Sequence, residues 1–153
     1  PRRMDSWHVA QVNVARLLAP LDAPEIADFV ANLDPVNAIA EQSPGYVWRL
    51  QDDSGNATSI TVDPDPLIIM NMSVWESIEF LEAFVRNGAH VAIMRRRREF
   101  FERAAEAYLA LWWVPVGTEP TPADAFERLA HLRANGPSPY AFTFRDRYEA
   151  ESA

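Results

Sequence analysis

The 153-residue sequence has no cysteine, which excludes disulfides, thiolate zinc sites and cysteine nucleophiles and leaves no argument for an oxidising compartment. Histidine is scarce as well. His8, His90 and His131 fall on three separate expected elements without metal-ligand spacing, and the acid pairs Asp52-Asp53 and Asp63-Asp65 sit in turns, where acids are ordinarily solvated. No apolar run is long enough to span a bilayer, and Pro1-Arg2-Arg3 is not followed by the apolar stretch of a secretion signal. The expected location is therefore cytoplasmic, with no membrane partner. Positive charge is also in deficit: 14 Lys and Arg against 22 Asp and Glu give a net charge of -8. The run Arg95 to Arg98 is followed closely by Glu99, Glu102 and Glu106, so the broad basic surface of a nucleic-acid binder is missing and no nucleic-acid partner is expected.

What remains is apolar and aromatic. At 48% hydrophobic and 11% aromatic residues the chain is globular, and its length suits one domain. That domain is expected over residues 7–144, with 1–6 and 145–153 as flexible termini.

Leu67 to Val74 is too apolar for a loop and is opened by Pro64 and Pro66, which marks a central strand. Alternation puts Ile68, Met70, Met72 and Val74 on one face and Leu67, Ile69, Asn71, Ser73 and Trp75 on the other. In Trp7 to Leu17, Ala10, Val12 and Val14 share one face while Val9, Gln11, Asn13 and Ala15 share the other. Each strand thus carries a partly polar face, which either packs around a hydrogen-bonded pair or lines a cavity. Tyr46 to Leu50 is a short strand, Asp52 to Asn56 a hairpin turn, Thr58 to Val62 an edge extension, and Leu109 to Val116 a further strand.

Helices are expected between these strands. Asp22-Ala-Pro24 opens one with Ile26, Phe29, Val30 and Leu33 on its apolar stripe, and Asp34-Pro35 restarts it. Ser77 sits at an N-cap ahead of Ile78, Leu81, Phe84 and Val85, and Asn87-Gly88 reads as a stop. The helical period then resumes from His90 to Tyr108. Thr121-Pro122 begins a last helix that ends at Gly136-Pro137, before a short strand at Tyr140 to Phe144.

The order is βαββαβ plus a C-terminal helix and short strand, an α+β, ferredoxin-like arrangement in which the first and third strands are neighbours. Helices are expected on one sheet face. Aromatic residues on the other, drawn from Trp48, Trp112 and Trp113, lead to the expectation of a homodimer that buries them.

Four consecutive helical residues span nearly the whole circumference, so the arginine run cannot lie entirely in solvent. The projection selects Arg97 as the inward one, about two turns from His90. A buried guanidinium needs an anionic or carbonyl partner, or a ligand.

The segments AQVNVARL, SPGYVWRL, NMSVWES, HVAIMRRRREFF, LALWWVPVG and GPSPYAFTF, spread from Gln11 to Phe144, together resemble the bacterial proteins of domain-of-unknown-function family 3291. That family is similar in fold to the dimeric α+β barrels, a superfamily that includes antibiotic-biosynthesis monooxygenases. One departure is RNGAH at the helix junction, where the family has a tyrosine-containing segment, so no role of that tyrosine carries over.

The resemblance implies a pocket between sheet and helices for a small apolar metabolite. Asn13, Asn71, His90 and Arg97 are its candidate catalytic groups; Gln11, Ser73, Trp48, Trp75 and Trp113 are candidate substrate contacts. Asn13 and Asn71 suit a carbonyl or enolate oxygen, Arg97 suits developing negative charge, and His90 suits proton transfer. The chemistry this implies is monooxygenase-like or acid/base. Haem is a second possibility, with His90 as axial ligand and an arginine at a propionate, because haem-degrading relatives in the superfamily carry a histidine after a Trp-containing strand and WESIEFLEAFVRNGAH is similar. The alternatives are a core network of buried polar groups and a non-catalytic dimeric binding module.

Overall fold

The computed structural model describes residues 6–51 and 63–150. The expected hairpin turn and the Thr58 to Val62 extension lie outside these. Strands β1 (Trp7–Arg16), β2 (Tyr46–Arg49), β3 (Ile68–Trp75) and β4 (Leu109–Pro115) form one antiparallel sheet in the order β2-β3-β1-β4. Helix α1 (Ala27–Gln42) joins β1 to β2, while α2 (Ile78–Val85), α3 (Gly88–Arg95) and α4 (Arg97–Phe100) lie between β3 and β4, and α5 (Pro122–Asn135) follows. This is the ferredoxin-like βαββαβ order with one added helix.

Local chemistry sets the boundaries. The Ser77 hydroxyl accepts from Phe80 N at the start of α2, and Thr121 and Asp124 form a reciprocal capping box on α5. The expected stop at Asn87-Gly88 is found, since α2 ends at Val85, and Asn87 also caps α3 by accepting from Ala89 N. Pro35 does not restart α1 but lies inside it. The missing proline N–H would serve Ala31, and Ala31, Asp34 and Pro35 are all exposed, so water can satisfy that carbonyl.

The helix expected to run from His90 to Tyr108 breaks at Arg96 and ends at Phe100. Phe100 is buried against Leu17 and Ile26, Phe101 pairs with Leu17 as a β-bridge, and Glu102 N donates to Arg16 O. Burial of Phe100 and backbone pairing to β1 thus override the periodicity that continues through Ala105. Tyr140 to Phe144 is likewise not a full strand: it makes two isolated bridges, Ala141 with Ser138 and Phe142 with Leu111, the latter through two backbone hydrogen bonds of 2.8 Å.

Helices cover both faces of the sheet, not one. Ala125, Leu129 and Leu132 of α5 pack with Val12, Met72, Val74 and Trp112 in a single apolar cluster. Of the aromatic residues that motivated a homodimer, Trp112 and Trp113 are buried within one chain and Trp48 partly so. Residues 145–150 also pack down: Tyr148 O accepts from Trp113 Nε1 at 2.8 Å, Tyr148 packs on Phe142, and Ala150 is buried. The expected flexible C-terminus is corrected for this segment.

Candidate functional site

The face opposite α5 carries the odd-numbered residues of β1 and β3. Register places Asn13 directly across from Asn71 and Gln11 across from Ser73. Gln11 is buried at 5% exposure and Ser73 at 8%, so both must be paired. Gln11 Nε2 donates to Asn71 Oδ1 and to Ser73 Oγ, each at 2.8 Å, and Trp75 Nε1 donates to the same Ser73 Oγ at 2.9 Å. The network has a direction. Because Asn71 accepts from Gln11 through its oxygen, its NH2 end is left without a partner among the described residues, and Asn71 is exposed in the middle of a sheet. Asn13, half-buried, makes no side-chain hydrogen bond there either.

Over this floor lies a cavity of about 150 Å³. Phe29, Leu33, Val36 and Ala40 of α1 form one wall, and Ile93, Met94 and Phe101 form another. Trp75 closes one end, stacked on Phe84 at 5.2 Å. His90 and Arg97 both line the cavity, as the sequence reading expects of Asn13, Asn71, Ser73 and Trp75 too.

His90 is oriented by its own helix junction. Its Nδ1 lies 3.1 Å from Val85 O, and a carbonyl can only accept, so Nδ1 carries the proton and Nε2 keeps its lone pair. Burial pushes the His90 pKa below its ordinary 6.5, partly opposed by that carbonyl. The ring is therefore neutral near pH 7, with a free basic nitrogen.

Arg97 differs from its neighbour. Arg96 pairs with Asp28 at 2.7 Å and Glu99 at 2.8 Å. Arg97 has no hydrogen bond or ion pair among the described residues; its guanidinium lies 4.5 Å from the Tyr108 ring centre and 5.9 Å from that of Phe101. The projection's inward arginine is thus found at the cavity; of the anionic or carbonyl partner, or ligand, expected for it, no protein partner is present among the described residues.

Three expected contacts fall elsewhere. Trp48 lies opposite Val74 and packs with the α5 cluster, because the register between β2 and β3 shifts between Tyr46 and Trp48. Trp113 packs with Phe142 and Tyr148 and does not line the cavity. Gln11 sits beneath the floor as an organiser of Asn71 and Ser73, not on its surface.

The same register shift brings in a residue that the sequence reading missed. Arg49 pairs across from Ser73, is 8% exposed, and donates to Glu41 at 2.8 Å. Asn32 and Asn37 also line the cavity. Their signal was readable, since Asn37 follows Phe29, Leu33 and Val36 on the inward stripe of α1.

A haem does not fit these residues. His90 Nε2 is available and its Nδ1 is anchored as in a proximal histidine. The space before it, however, is small for a macrocycle, floored by Asn13, Asn71 and Ser73 and bordered by Asn32 and Asn37. A porphyrin face calls for apolar cover, and these amides would lose water without gaining partners. Among the described residues, no group of His, Asp and Glu is placed to hold a metal ion, and no helix is long and apolar enough to cross a membrane.

Strand order and cavity together define an α+β, ferredoxin-like protein with a ligand-sized chamber under its helices. The chain belongs to the family described as a domain of unknown function, DUF3291, whose model matches residues 8–153. No curated protein matches the sequence. Among solved structures, a conserved protein from Methanosarcina mazei Go1 is 11% identical with a TM-score of 0.48, covering 72% of this chain and 94% of that one. SnoaB, a cofactor-independent oxygenase from Streptomyces nogalater, is 13% identical at 0.44, covering 74% and 95%. A putative antibiotic biosynthesis monooxygenase from Nitrosomonas europaea is 12% identical at 0.45, covering 74% and 91%. At these scores the strand order, not the likeness, defines the fold class.

Proposed function

We propose that the protein is an enzyme acting on a small, largely apolar molecule, with His90 as a general base that removes a proton from carbon. The observation that carries this reading is the state of His90: its Nδ1 proton is committed to Val85 O, which leaves Nε2 as a free acceptor at the cavity. In the step proposed, the C–H bond beside a substrate carbonyl breaks, the proton goes to Nε2, and the electron pair moves onto the carbonyl oxygen. That oxygen is held by the amides of Asn71 and Asn13. Return of the proton to another carbon gives an isomerisation. Reaction of the carbanion with dioxygen, converting CH2 to C=O with release of water, gives the monooxygenase-like outcome.

The competing reading is a non-catalytic binding module. A core network would be supported by an Arg97 paired with an internal acid and a filled interior; an Arg97 with no acidic partner among the described residues and the cavity instead support a ligand site. Every group named belongs to one chain, so the reading holds for a monomer or a homodimer. Its test is deuterium exchange at the acidic CH2 of 2-tetralone in D2O, followed by NMR. The wild type should accelerate exchange over buffer and a folded His90→Gln variant should not. Equal exchange by the two proteins contradicts the assignment.

A further inference from the structure

The cavity carries a charge pattern opposite to that of the chain as a whole. In a protein of net charge -8, no aspartate or glutamate is among the described residues that line it, while Arg49 and Arg97 are. Arg49 already donates to Glu41. Arg97 has its nearest cationic contacts with rings, and an aromatic face attracts a guanidinium without neutralising it or using its N–H donors. Its fork of donors is therefore available to an anion.

The floor points the same way. Gln11 fixes Asn71 through its oxygen, so Asn71 offers NH2, a donor, toward the open space. Trp75 and Gln11 both donate to Ser73, which saturates the hydroxyl oxygen and leaves only its proton to give. Asn71 and Ser73 thus present donors to a chamber whose walls are mostly hydrocarbon, and Arg97, which also borders a second cavity beside Tyr108, Glu102 and Glu106, lines it with them.

We infer that the natural ligand of this cavity is an apolar carboxylate, with its carboxyl group at Arg97 and its hydrophobic body lying toward Trp75 and Phe84. This rests on the reading of the cavity as a binding site and names the ligand's chemical class. His90 lies on α3 and Arg97 at the start of α4, beyond the break at Arg96, and both line the same cavity, so one ligand can meet the anchor and the base together. A carboxylate matches the planar guanidinium fork in a way that a neutral amide of the same shape does not.

The test is calorimetric titration with 2-naphthoate and with its neutral isostere 2-naphthamide, on the wild type, Arg97→Met and Arg96→Met, with a thermal melt of each variant to establish folding. Naphthoate should bind the wild type on the order of tenfold or more tighter than naphthamide, the scale of a charge-assisted hydrogen bond. Arg97→Met should abolish that preference, and Arg96→Met, which removes a guanidinium held by Asp28 and Glu99, should keep it. Equal wild-type affinity for the two compounds overturns the inference whatever the variants do, as does a preference that survives Arg97→Met. If naphthamide binds and 2-tetralone still exchanges while naphthoate shows no advantage, the anion anchor fails and the enzymatic reading stands. If neither compound binds, the inference fails together with the reading of the cavity as a binding site.

Discussion

The two faces of one sheet are built to different ends. On the α5 side, alternate residues of β1, β3 and β4 meet Leu129 and Leu132 in continuous hydrocarbon. On the other side, the intervening residues of β1 and β3 include Gln11, Asn13, Asn71 and Ser73, and the helices above them leave about 150 Å³ of cavity. A closed core of this size has no need of polar groups, and burying them costs free energy unless they are paired. Gln11 and Ser73 are paired and buried; Asn13 and Asn71 keep donors that no described residue uses. The α5 face is organised for stability, and the opposite face pays part of that stability for access.

The contrast can be broken or sharpened by substitution. On the filled face, Leu129→Ala removes a side chain that is 1% exposed and leaves a void, so unfolding in urea should show a loss of about 2–5 kcal/mol. A loss well under that range would mean that α5 is not the element that closes the core.

Beneath the cavity, Gln11→Leu keeps the volume but removes both donated hydrogen bonds. The same urea measurement should give a smaller loss of about 1–3 kcal/mol. It should also weaken ligand binding by freeing the orientation of Asn71. A variant with undiminished stability would show that the network is not needed for folding.

Acid should act on the cavity face through His90. Its folded pKa lies below the ordinary 6.5, so above pH 6.5 both folded and unfolded chains hold it neutral and it contributes no pH dependence. As pH falls through 6.5 the unfolded chain takes up a proton that the buried ring resists, and stability declines until the folded pKa is reached. His90→Gln should therefore lose less stability than the wild type between pH 7 and pH 5. Parallel losses in the two proteins would remove the buried, neutral ring on which the proton-transfer step depends.

How much of this was legible in the sequence varied with how local the cause was. Alternation within Trp7–Arg16 and Ile68–Trp75, joined to the βαββαβ order, was enough to bring Asn13 to Asn71 and Gln11 to Ser73. The inward turn of Arg97 followed from helical angles alone. Arg49 and Trp48 exchanged faces because one residue of register is absorbed between Tyr46 and Trp48, and nothing in YVWR marks it. The end of the helix at Phe100 was hidden because Ala104, Ala105 and Tyr108 continue the period; the bridge of Phe101 to Leu17 that terminates it is a contact between distant parts of the chain. The crossing of α5 to the second face was equally hidden, since both faces of β1 and β3 carry enough apolar residues to attract a helix.

The sharpest measurement concerns Asn13, which lies on the cavity floor with no side-chain hydrogen bond to lose. Urea unfolding of Asn13→Leu, with and without saturating 2-tetralone, separates a ligand-facing amide from a structural one. The account predicts a stability without ligand within about 0.5 kcal/mol of wild type or above it, the range of a substitution that breaks no packed contact, together with a reduced stabilisation by the ligand. A clear loss of stability without ligand, with the ligand's contribution unchanged, would contradict it.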